Sequence, residues 1–577
     1  MAARLQPIYD IAEICAQQGI QQAVLCPGSR CAPLTLAFAS HAGITTRTFS
    51  DERSAAFIAL GLAQQTHSPA VLVCTSGSAA YNFAPAVAEA FFQQVPLLIF
   101  TADRPVEWID QWDGQTIWQE NIFGSHVKRS YNLPADYTHP DSHWHIQRVV
   151  NEAVLLSQTY PYGPVHINVP LREPLYPMPG EKISFSKNVK VVTPEITQPE
   201  ITKESKARLQ NELAGFTRIL VIAGQQENQP GVLKAATKFC EIQGAALAGD
   251  IISNFHPYTK TIRYADVFLA HAPDNVKATL QPDLIITFGK SVISKNLKTF
   301  LRKYTPAQHW HIQPAGIAPD PFQSLTRIIY SDPKQFFSAL STTPAVARFE
   351  LQKKNNYSQL WNVEEHRTNH SYEKFFSRLP FGELFAVSKI MDALPARCNL
   401  HIANSMSVRY ANLIGLSEKK NGVHVYANRG TSGIDGCTST SVGHTLSSEV
   451  PNILFTGDLA FFYDRNAFWH NYSLPNLRVV VINNHGGVIF NLIDGPGLVD
   501  QKDEYFVTRQ ALTAQHLAKE FNIDYLQANT AKALDVALKE FFTFDGRTKV
   551  LEIMSSQMQA TATFREFKQA IKKSYEA

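Results

Sequence analysis

The chain has 577 residues, of which 45% are hydrophobic and 18% are charged, and its formal net charge is +3. Because domains usually span roughly 100 to 200 residues, the length predicts about three domains, and the composition argues against a disordered protein. The small net charge, with no Lys/Arg block of five or six residues, argues against a nucleic-acid partner.

The N-terminal segment predicts no export signal. It mixes Arg, Asp and Glu into a helical pattern and lacks the continuous apolar core of a signal peptide. No apolar stretch in the chain reaches the ~18 residues that a membrane span needs. The seven cysteines are scattered and form no Cys-x-x-Cys pair, as in proteins of a reducing compartment. We therefore expect a cytoplasmic protein without a membrane span.

Short β-branched runs alternate with Ala-rich helical stretches along most of the chain, which is typical of parallel α/β domains. The runs fall into three series: "QAVLCPGSR", "PAVLVCTSG" and "VPLLIFTADRP"; then "TRILVIAGQQ", "DLIITFGKS" and "HWHIQPAG"; then "CNLHIANS", "NILFTGDLA" and "LRVVVINNHGG". Each run stops at a polar or Gly-containing turn. Ligands of open parallel sheets bind at the turns that follow the strands, so we expect the chemistry there.

Two polar segments separate the three series. Residues 180–205 are rich in Pro, Lys and Ser and lack helical periodicity, which predicts a linker. Residues 348–376 are polar with a helical pattern, which predicts a helical crossover. The fold predicted is α/β, with three doubly wound parallel-sheet domains at residues 1–185, 186–350 and 351–577.

The first and third domains resemble each other in layout. In both, a strand, a small-residue turn, a helix, a second strand and a polar turn follow at nearly the same spacing. This predicts a duplicated α/β unit on either side of a different middle domain. The layout is generic to doubly wound folds, so coincidence is the alternative.

A carboxylate and an amide follow two successive apolar runs in the third domain. Asp458 and Asn484 are 26 positions apart, about one βαβ step, so both should lie on adjacent strand ends at one sheet edge. Their oxygens, with the backbone carbonyl of Gly486, suit Mg²⁺ bound together with substrate phosphates. Gly486 and Gly487 allow close approach of the backbone to a diphosphate. The alternative is that Asp458 caps a helix and Asn484 lies in an ordinary turn.

The Gly-Asp and Asn-Asn pairs resemble the metal-diphosphate motif of thiamine-diphosphate enzymes, although Leu459 stands where the commonest motif has a third small residue. Such enzymes need a glutamate on the other α/β domain, and Glu52 in "DERSAAFIALGLA" matches it. Alone, Glu52 would be a first-turn helix acid. The resemblance implies that its carboxylate hydrogen-bonds the aminopyrimidine ring and favours the tautomer that deprotonates the thiazolium carbon.

The same resemblance implies the residues that contact thiamine diphosphate and its metal. Ile434 matches the bulky apolar position that bends the cofactor into its V shape, although a core isoleucine is an equal alternative. The implied ligands of Mg²⁺, or of Mn²⁺, are Asp458, Asn484 and Gly486. The implied cofactor-binding residues are Ser76, Gly77, Gly433, Ile434, Gly457, Asp458, Leu459, Asn484, Gly487, Val488, Ile489 and Phe490.

More specific stretches resemble the 2-succinyl-5-enolpyruvyl-6-hydroxy-3-cyclohexene-1-carboxylate synthases of menaquinone biosynthesis, over essentially the full length. They include "CPGSRCAPLTLAF", "TADRPVEWID", "GPVHINVPLREPL", "IANSMSVRYAN" and "ANRGTSGIDG". The resemblance implies decarboxylation of 2-oxoglutarate and conjugate addition of the succinyl carbanion to isochorismate. The alternatives are a carboligase or 2-oxoacid decarboxylase of the acetolactate synthase type, a catalytically silent binding protein with the same fold, and a nucleotide-dependent oxidoreductase, whose G-x-G-x-x-G motif is missing.

Both implied substrates are dicarboxylates, so their pocket needs several cations, preferably Arg for bidentate contacts. Two features depart from the family: Asn296 follows Lys295 where a second basic residue is frequent, and Gly114 and His485 replace an Asn that some members carry. We expect one carboxylate contact to be made differently. The implied substrate-binding residues are Ser29, Arg30, Arg104, Gln115, Lys295, Ser405, Arg409, Arg429 and Phe490.

The diphosphate motif and Glu52 lie on different domains. In similar enzymes these two domains come from two subunits. The resemblance therefore implies a homodimer with active sites at the subunit interface, and a homotetramer built as a dimer of dimers fits the sequence equally well.

Overall fold

The strands of three sheets are parallel in the computed structural model, which describes residues 5–195, 200–341, 351–493 and 495–576. The sheets lie within residues 22–170, 219–330 and 397–554. Helices between the strands cover the sheets, so the predicted α/β class with three doubly wound sheets is confirmed.

The first sheet has the strand order β2-β1-β3-β4-β6-β5. Its strands β3 and β4 are buried along their whole length, which explains why they begin as apolar runs rather than as alternating ones. Strand β6 is also buried throughout, although it carries the polar residues His166 and Asn168. Its elements are α1 (Gln6–Gln17), β1 (Gln22–Leu25), α2 (Ala32–Ser40), β2 (Thr45–Thr48), α3 (Glu52–Thr66), β3 (Ala70–Cys74), α4 (Ser78–Asn82), α5 (Ala84–Gln93), β4 (Leu97–Asp103), β5 (Ser130–Asn132), α6 (Pro140–Ser157) and β6 (Val165–Pro170).

The middle sheet has the order β11-β10-β9-β7-β8. In the predicted linker at 180–205, the described residues before α7 form no helix or strand, and α7 begins at Lys203. The elements are α7 (Lys203–Ala214), β7 (Ile219–Ala223), α8 (Pro230–Gln243), β8 (Ala246–Gly249), α9 (Ala265–His271), α10 (Asp274–Leu280), β9 (Leu284–Phe288), α11 (Lys295–Lys303), β10 (Gln308–Gln313), β11 (Arg327–Tyr330) and α12 (Pro333–Leu340).

The third sheet has the order β13-β12-β14-β15-β17-β16, which repeats the order of the first sheet. The shared layout of the first and third domains is therefore confirmed. The elements are α13 (Leu351–Phe376), α14 (Glu383–Ala393), β12 (Arg397–Ile402), α15 (Met406–Ile414), β13 (Gly422–Tyr426), α16 (Cys437–Thr445), β14 (Asn452–Gly457), α17 (Asp458–Tyr463), β15 (Leu477–Asn483), α18 (Ala514–Glu520), β16 (Asp524–Ala528), α19 (Ala531–Phe541), β17 (Lys549–Met554) and α20 (Gln557–Lys573).

Helix α13 joins the middle and third domains, and it accounts for the described part of the predicted crossover at 348–376. Its Trp361 is fully buried, with its ring 5.8 Å from that of Phe268 and 6.0 Å from that of Phe300 in the middle domain. Among the described helices, none combines the length and the hydropathy of a membrane span.

Helix α3 of the first domain packs along α16 of the third with unusually close backbones. A Cβ atom added to Gly61 would lie 2.1 Å from the carbonyl oxygen of Thr440. One added to Gly443 would lie 2.2 Å from the carbonyl oxygen of Ile58. The two glycines let the helices meet without side chains between them, so the first and third domains are closely joined within one chain.

Replacement of Gly443 by alanine should therefore destabilise the protein. A methyl group cannot move away from a backbone carbonyl, and forced overpacking of this kind costs about 1–3 kcal/mol. The midpoint of thermal unfolding of Gly443→Ala should fall below that of the unaltered protein. The matched control is Gly497→Ala, because no heavy atom of the described residues lies within 4 Å of the added Cβ there. An equal fall in the unfolding midpoint of both variants would contradict the close contact between α3 and α16.

Candidate active site

The predicted site residues form two groups at the carboxyl edges of the first and third sheets. The first-sheet group consists of Ser29, Arg30, Glu52, Ser76, Gly77, Arg104 and Gln115. The third-sheet group, which includes Lys295 from the middle domain, consists of Lys295, Ser405, Arg409, Arg429, Gly433, Ile434, Gly457, Asp458, Leu459, Asn484, Gly486, Gly487, Val488, Ile489 and Phe490.

Asp458 and Asn484 lie on neighbouring strand ends, as the sequence predicts. Strand β14 pairs in parallel with β15, with Gly457 opposite Ile482, so both polar residues leave the sheet at the same edge. Asp458 is 2% exposed, and its Oδ2 accepts a hydrogen bond of 2.7 Å from Nε2 of Gln510. Burial raises the pKa of the Asp458 carboxyl to about 6, although hydrogen bonds from Gln510 and from backbone N–H groups oppose the rise. A nearby cation would stabilise this buried carboxylate.

The Asn484 side chain has one satisfied end and one unsatisfied end. Its Nδ2 donates a 2.8 Å hydrogen bond to Oε1 of Glu383, whereas its Oδ1 is buried and has no hydrogen-bond partner among the described residues. Buried amide oxygens without a partner are uncommon and point to a missing ion or water. Together with the Asp458 carboxylate, this oxygen is a donor set of the kind that Mg²⁺ prefers, so the residues fit a divalent cation.

The turn after Asn484 brings the backbone of Gly486 and Gly487 close to Asp458 and Asn484. Gly486 has a φ of 153°, and a Cβ there would lie 2.7 Å from Nε2 of Gln557 and 2.8 Å from the carbonyl oxygen of Val507. Gly487 donates a 2.7 Å hydrogen bond to the same carbonyl oxygen. Only glycine fits at position 486, which leaves the backbone of this turn free to approach a phosphate.

A short 3₁₀-helix, Val488–Asn491, follows the turn. It leaves Val488 buried and the side chains of Ile489 and Phe490 half-buried at the sheet edge. The rings of Phe490 and Phe506 lie 6.0 Å apart. The two half-buried apolar side chains could therefore line a cavity beside Asp458 and Asn484.

Ile434 lies in the loop between β13 and α16. Asn404 holds this loop through hydrogen bonds from its Nδ2 to the carbonyl oxygens of Asn428 (2.7 Å) and Gly433 (2.6 Å). Gly436 packs directly on the ring of Phe57 in the first domain. Ile434 itself is half-buried on this fixed loop rather than enclosed in the sheet core. Its side chain is therefore available for contact with a ligand.

Glu52 is the first residue of α3, after the N-cap Asp51, whose side chain accepts from the N–H of Ser54. The Glu52 carboxylate is half-buried and accepts a 3.3 Å hydrogen bond from Nδ2 of Asn82. At the same edge of the first sheet, the hydroxyl groups of Thr75 and Ser76, which follow β3, are buried and lack hydrogen-bond partners in the described part of the chain. This edge of the first sheet thus holds a carboxylate and two unused hydroxyl groups, which could receive a polar ring.

The turn at Gly77 is tied to the loop that carries Arg104 and Gln115. Gly77 has a φ of 91°, and its N–H donates a 2.8 Å hydrogen bond to Oε1 of the fully buried Gln119. Gln119 Nε2 in turn donates to the carbonyl oxygen of Ala102. A Cβ on Gly77 would lie 3.4 Å from the backbone of Gln115. Gln119 therefore fixes the relative positions of these two predicted contact regions.

The cations of the first-sheet group already have partners in the chain. Arg104 donates through Nη2 to the carbonyl oxygen of Gly114 (2.7 Å) and forms an ion pair with Asp113 (2.5 Å). Arg30 donates to the carbonyl oxygen of Leu171 at 3.0 Å. The Oγ of Ser29 lies 3.1 Å from Oη of Tyr176. These contacts orient the side chains and leave part of each guanidinium available.

The cations of the third-sheet group lie beside the middle domain. Arg409 donates to the carbonyl oxygen of Ser405 at 2.7 Å, and Arg429 donates through Nη1 to Oδ1 of Asn404 at 2.7 Å. The Nε of Arg429 is buried and has no hydrogen-bond partner within the described ranges. Burial lowers the pKa of Arg429, and the charge of Arg409 lowers it further. Two neighbouring guanidinium groups of this kind favour an anionic ligand.

Lys295 and Asn296 begin α11 at the edge of this cluster. Lys295 is exposed. The Nδ2 of Asn296 donates to the carbonyl oxygen of Asp266 at 2.9 Å, and its N–H donates to Oδ1 of Asp266 at 2.9 Å. The side chain that replaces the family's second basic residue is thus tied to the middle domain.

The two groups are not directly connected within one chain. In the described ranges, no hydrogen bond or ion pair joins a residue of the first-sheet group to one of the third-sheet group. The segment between Arg104 and Gln119 also presents three tryptophans to solvent: Trp108 (53% exposed), Trp112 (100%) and Trp118 (66%). Aromatic side chains exposed together in this way mark an interaction surface.

Several residues that shape the site carry no signal in the sequence. Glu383 and Gln510 lie outside the motif turns and contact Asn484 and Asp458 through hydrogen bonds across distant elements. Asn404 lies in the motif turn "IANS" but is not among the predicted site residues, and it contacts Gly433 through a hydrogen bond. Glu383 is an acid at the start of α14, and acids are common at helix N-termini, so its position alone does not single it out.

Comparison with known proteins gives consistent matches along the chain. Residues 9–123 match the family model "Thiamine pyrophosphate enzyme, N-terminal TPP binding domain", and residues 195–402 match "Middle domain of thiamine pyrophosphate". A protein of Cytophaga hutchinsonii is 44% identical over 99% of this chain and 100% of its own length. Proteins of Flavobacterium johnsoniae and Bacteroides fragilis are each 35% identical, over 96% and 98% of this chain and 97% and 99% of their own lengths. All three are named 2-succinyl-5-enolpyruvyl-6-hydroxy-3-cyclohexene-1-carboxylate synthase.

Proposed function

The chain belongs to the family of 2-succinyl-5-enolpyruvyl-6-hydroxy-3-cyclohexene-1-carboxylate synthases, which are thiamine-diphosphate-dependent, and we propose that it catalyses the reaction of this family. That reaction decarboxylates 2-oxoglutarate and adds the resulting succinyl carbanion to isochorismate, in menaquinone biosynthesis. The observation that carries the proposal is the 44% identity to a named relative along almost the entire chain. The arginines of the two groups favour dicarboxylates over the pyruvate of an acetolactate synthase type.

Thiamine diphosphate supplies a nucleophilic carbon and an electron sink for decarboxylation and carbon–carbon bond formation. We propose that Asp458, Asn484 and the carbonyl group of Gly486 hold Mg²⁺, or Mn²⁺, against the diphosphate. The buried oxygen of Asn484 without a partner supports this assignment, because a cation would satisfy it. The remaining cofactor contacts are proposed for Ser76, Gly77, Gly433, Ile434, Gly457, Leu459, Gly487, Val488, Ile489 and Phe490.

Glu52 is the proposed catalytic carboxylate. Its role is to hydrogen-bond a ring nitrogen of the cofactor and to hold or release a proton there. Its half-buried carboxylate and its single contact with Asn82 support the role, since the carboxylate keeps acceptor capacity for a ligand. The unused hydroxyl groups of Thr75 and Ser76 could complete the hydrogen bonding of the same ring.

The substrate contacts are proposed for both groups. Ser29, Arg30, Arg104 and Gln115 would come from the first-sheet group, and Lys295, Ser405, Arg409, Arg429 and Phe490 from the third-sheet group. Carboxylates bind planar guanidinium groups through paired hydrogen bonds, and Arg429 has a buried Nε without a partner that could serve such a contact.

We further propose that each active site is completed by two copies of the chain, in a homodimer or in a homotetramer made of such dimers. The first-sheet group of one copy would face the third-sheet group of the other. Support comes from the lack of hydrogen bonds between the two groups within the described part of one chain, and from the exposed tryptophans beside Arg104. A cytoplasmic location is part of the same proposal, and the seven buried, unpaired cysteines are compatible with it.

The first experiment measures CO₂ release by the purified protein with thiamine diphosphate and Mg²⁺. Release from 2-oxoglutarate that depends on isochorismate, with loss of isochorismate absorbance, is the expected result. Release of CO₂ from pyruvate instead would support thiamine diphosphate as the cofactor but would show that the proposed substrates are wrong. No release from any 2-oxoacid would favour a binding protein that has kept the fold.

Arg429→Gln should lower kcat/KM for the dicarboxylate substrates by about 10-fold to 100-fold. Hydrogen bonds to charged groups contribute about 1.5–3 kcal/mol, and glutamine keeps the polar character of the position without the charge. Arg302→Gln is the matched control, because Arg302 is exposed and donates to the carbonyl oxygen of Pro321 instead. Steady-state kinetics with each substrate varied in turn provide the measurement. Equal kinetics for both variants would remove Arg429 from the substrate contacts.

A further inference from the structure

Glu383 is a buried carboxylate that has no role in the proposed reaction. It is the first residue of α14 and is 2% exposed. Its Oε1 accepts hydrogen bonds from Nδ2 of Asn484 and from Oγ of Ser555, both at 2.8 Å, and its Oε2 accepts from Oη of Tyr410 at 2.7 Å. Three elements distant in sequence thus converge on one carboxylate.

A buried carboxylate of this kind is costly unless its charge is compensated. Within the described ranges, Glu383 forms no ion pair with Lys, Arg or His. Three neutral donors and the N-terminus of α14 provide its stabilisation. The carboxylate offers two acceptor oxygens to three donors, whereas a hydrophobic residue would offer none.

The acceptor oxygens of Glu383 determine which way the Asn484 amide faces. The Oε1 of Glu383 accepts from Asn484 and from Ser555, so the nitrogen end of the Asn484 amide faces Glu383. The oxygen end then faces away, and it is this Oδ1 that is buried without a partner. If the amide turned over, two oxygens would meet at Glu383, and an N–H₂ group would face the place where a cation is expected.

We propose that Glu383 is a positioning residue that fixes the side-chain amide of Asn484 so that its oxygen, not its nitrogen, is offered to the divalent cation. This inference rests on the proposed function only in that a metal binds beside Asp458 and Asn484. Outer partners that orient metal ligands commonly change metal affinity by 10-fold to 100-fold. Glu383 would be such an outer partner, because it holds the nitrogen end of the Asn484 amide while the oxygen end faces the cation.

The test measures binding of Mn²⁺ to the full-length protein in the presence of thiamine diphosphate, by the loss of the free-ion paramagnetic resonance signal. Glu383→Ala should weaken Mn²⁺ binding by about 10-fold to 100-fold. Activity should recover when Mn²⁺ is raised to saturation. Glu383→Gln keeps an acceptor oxygen for Asn484 and should bind Mn²⁺ nearly as well as the unaltered protein. Tyr410→Phe, the matched control, removes only the contact with Oε2 and should leave Mn²⁺ affinity unchanged.

If Glu383→Ala does not fold, a double variant that changes both Glu383 and Asn484 provides a second test. Asn484→Asp alone places two carboxylates in contact and should weaken Mn²⁺ binding. Adding Glu383→Gln restores a donor opposite the new carboxylate, so the double variant should regain Mn²⁺ affinity. Recovery in the double variant supports the positioning role. Unchanged Mn²⁺ affinity in Glu383→Ala, or no recovery in the double variant, would overturn it. If the unaltered protein itself bound no Mn²⁺, the proposed metal site would fail instead.

Discussion

Replacement of Asp458 by alanine is expected to abolish activity at ordinary metal concentrations, through loss of metal-dependent cofactor binding. Asp458 is the only carboxylate among the proposed ligands, and it is buried, so no water can replace its charge at low cost. Loss of an outer partner of a metal ligand already costs 10-fold to 100-fold in affinity. We therefore expect the affinity for thiamine diphosphate in the presence of Mg²⁺ to fall by more than about 100-fold.

Isothermal titration of thiamine diphosphate into the metal-loaded protein gives the affinity directly. Asp464→Asn is a useful control, because Asp464 is also a buried carboxylate near the start of α16 but is held by Ser439 rather than placed among the ligands. Asp464→Asn should lower the stability of the protein and leave its affinity for thiamine diphosphate nearly unchanged. Unchanged cofactor affinity in Asp458→Ala would remove Asp458 from the metal site.

Glu52→Gln should separate catalysis from cofactor binding. Glutamine has nearly the same shape as glutamate but cannot hold the negative charge that favours proton transfer at the cofactor ring. A positioned acid or base typically contributes 10²-fold to 10⁴-fold, so kcat should fall by about that factor. The affinity for thiamine diphosphate with Mg²⁺ should change little, because the proposed diphosphate contacts lie at the edge of the third sheet.

Single-turnover CO₂ release together with titration of the cofactor gives both quantities. Glu89→Gln provides the comparison, because Glu89 is a buried glutamate of the same domain whose carboxylate accepts from the N–H groups of Gly430 and Thr431 instead. Glu89→Gln should lower the stability of the protein rather than its catalytic rate. If Glu52→Gln kept full activity, the proposed catalytic role of Glu52 would be wrong.

The parts of this molecule that the sequence predicted are those set by local chemistry. Buried parallel strands read as apolar runs, which predicts β3, β4, β14 and β15, and the polar ends of β14 and β15 indicate Asp458 and Asn484. The parallel register that places both residues at one edge follows from the βαβ spacing. These predictions required no knowledge of distant contacts.

The supporting residues could not be predicted in the same way. Glu383 reaches Asn484 only because α14 and the turn after β15 are brought together by packing of the third domain. Gln119 likewise joins Gly77 to Ala102 across the first sheet. Such contacts depend on the three-dimensional arrangement and leave no local pattern, since a lone Glu or Gln occurs in many surface helices and loops.

The separation of the first-sheet and third-sheet groups has a genetic consequence if two copies complete each site. A chain damaged at Glu52 still carries an intact third-sheet group, and a chain damaged at Asp458 still carries an intact first-sheet group. In a cell that produces both defective chains, mixed pairs would contain one site assembled from the two intact halves. The two groups would then behave as separate complementation units within a single gene, and two alleles that are each inactive alone could support growth together.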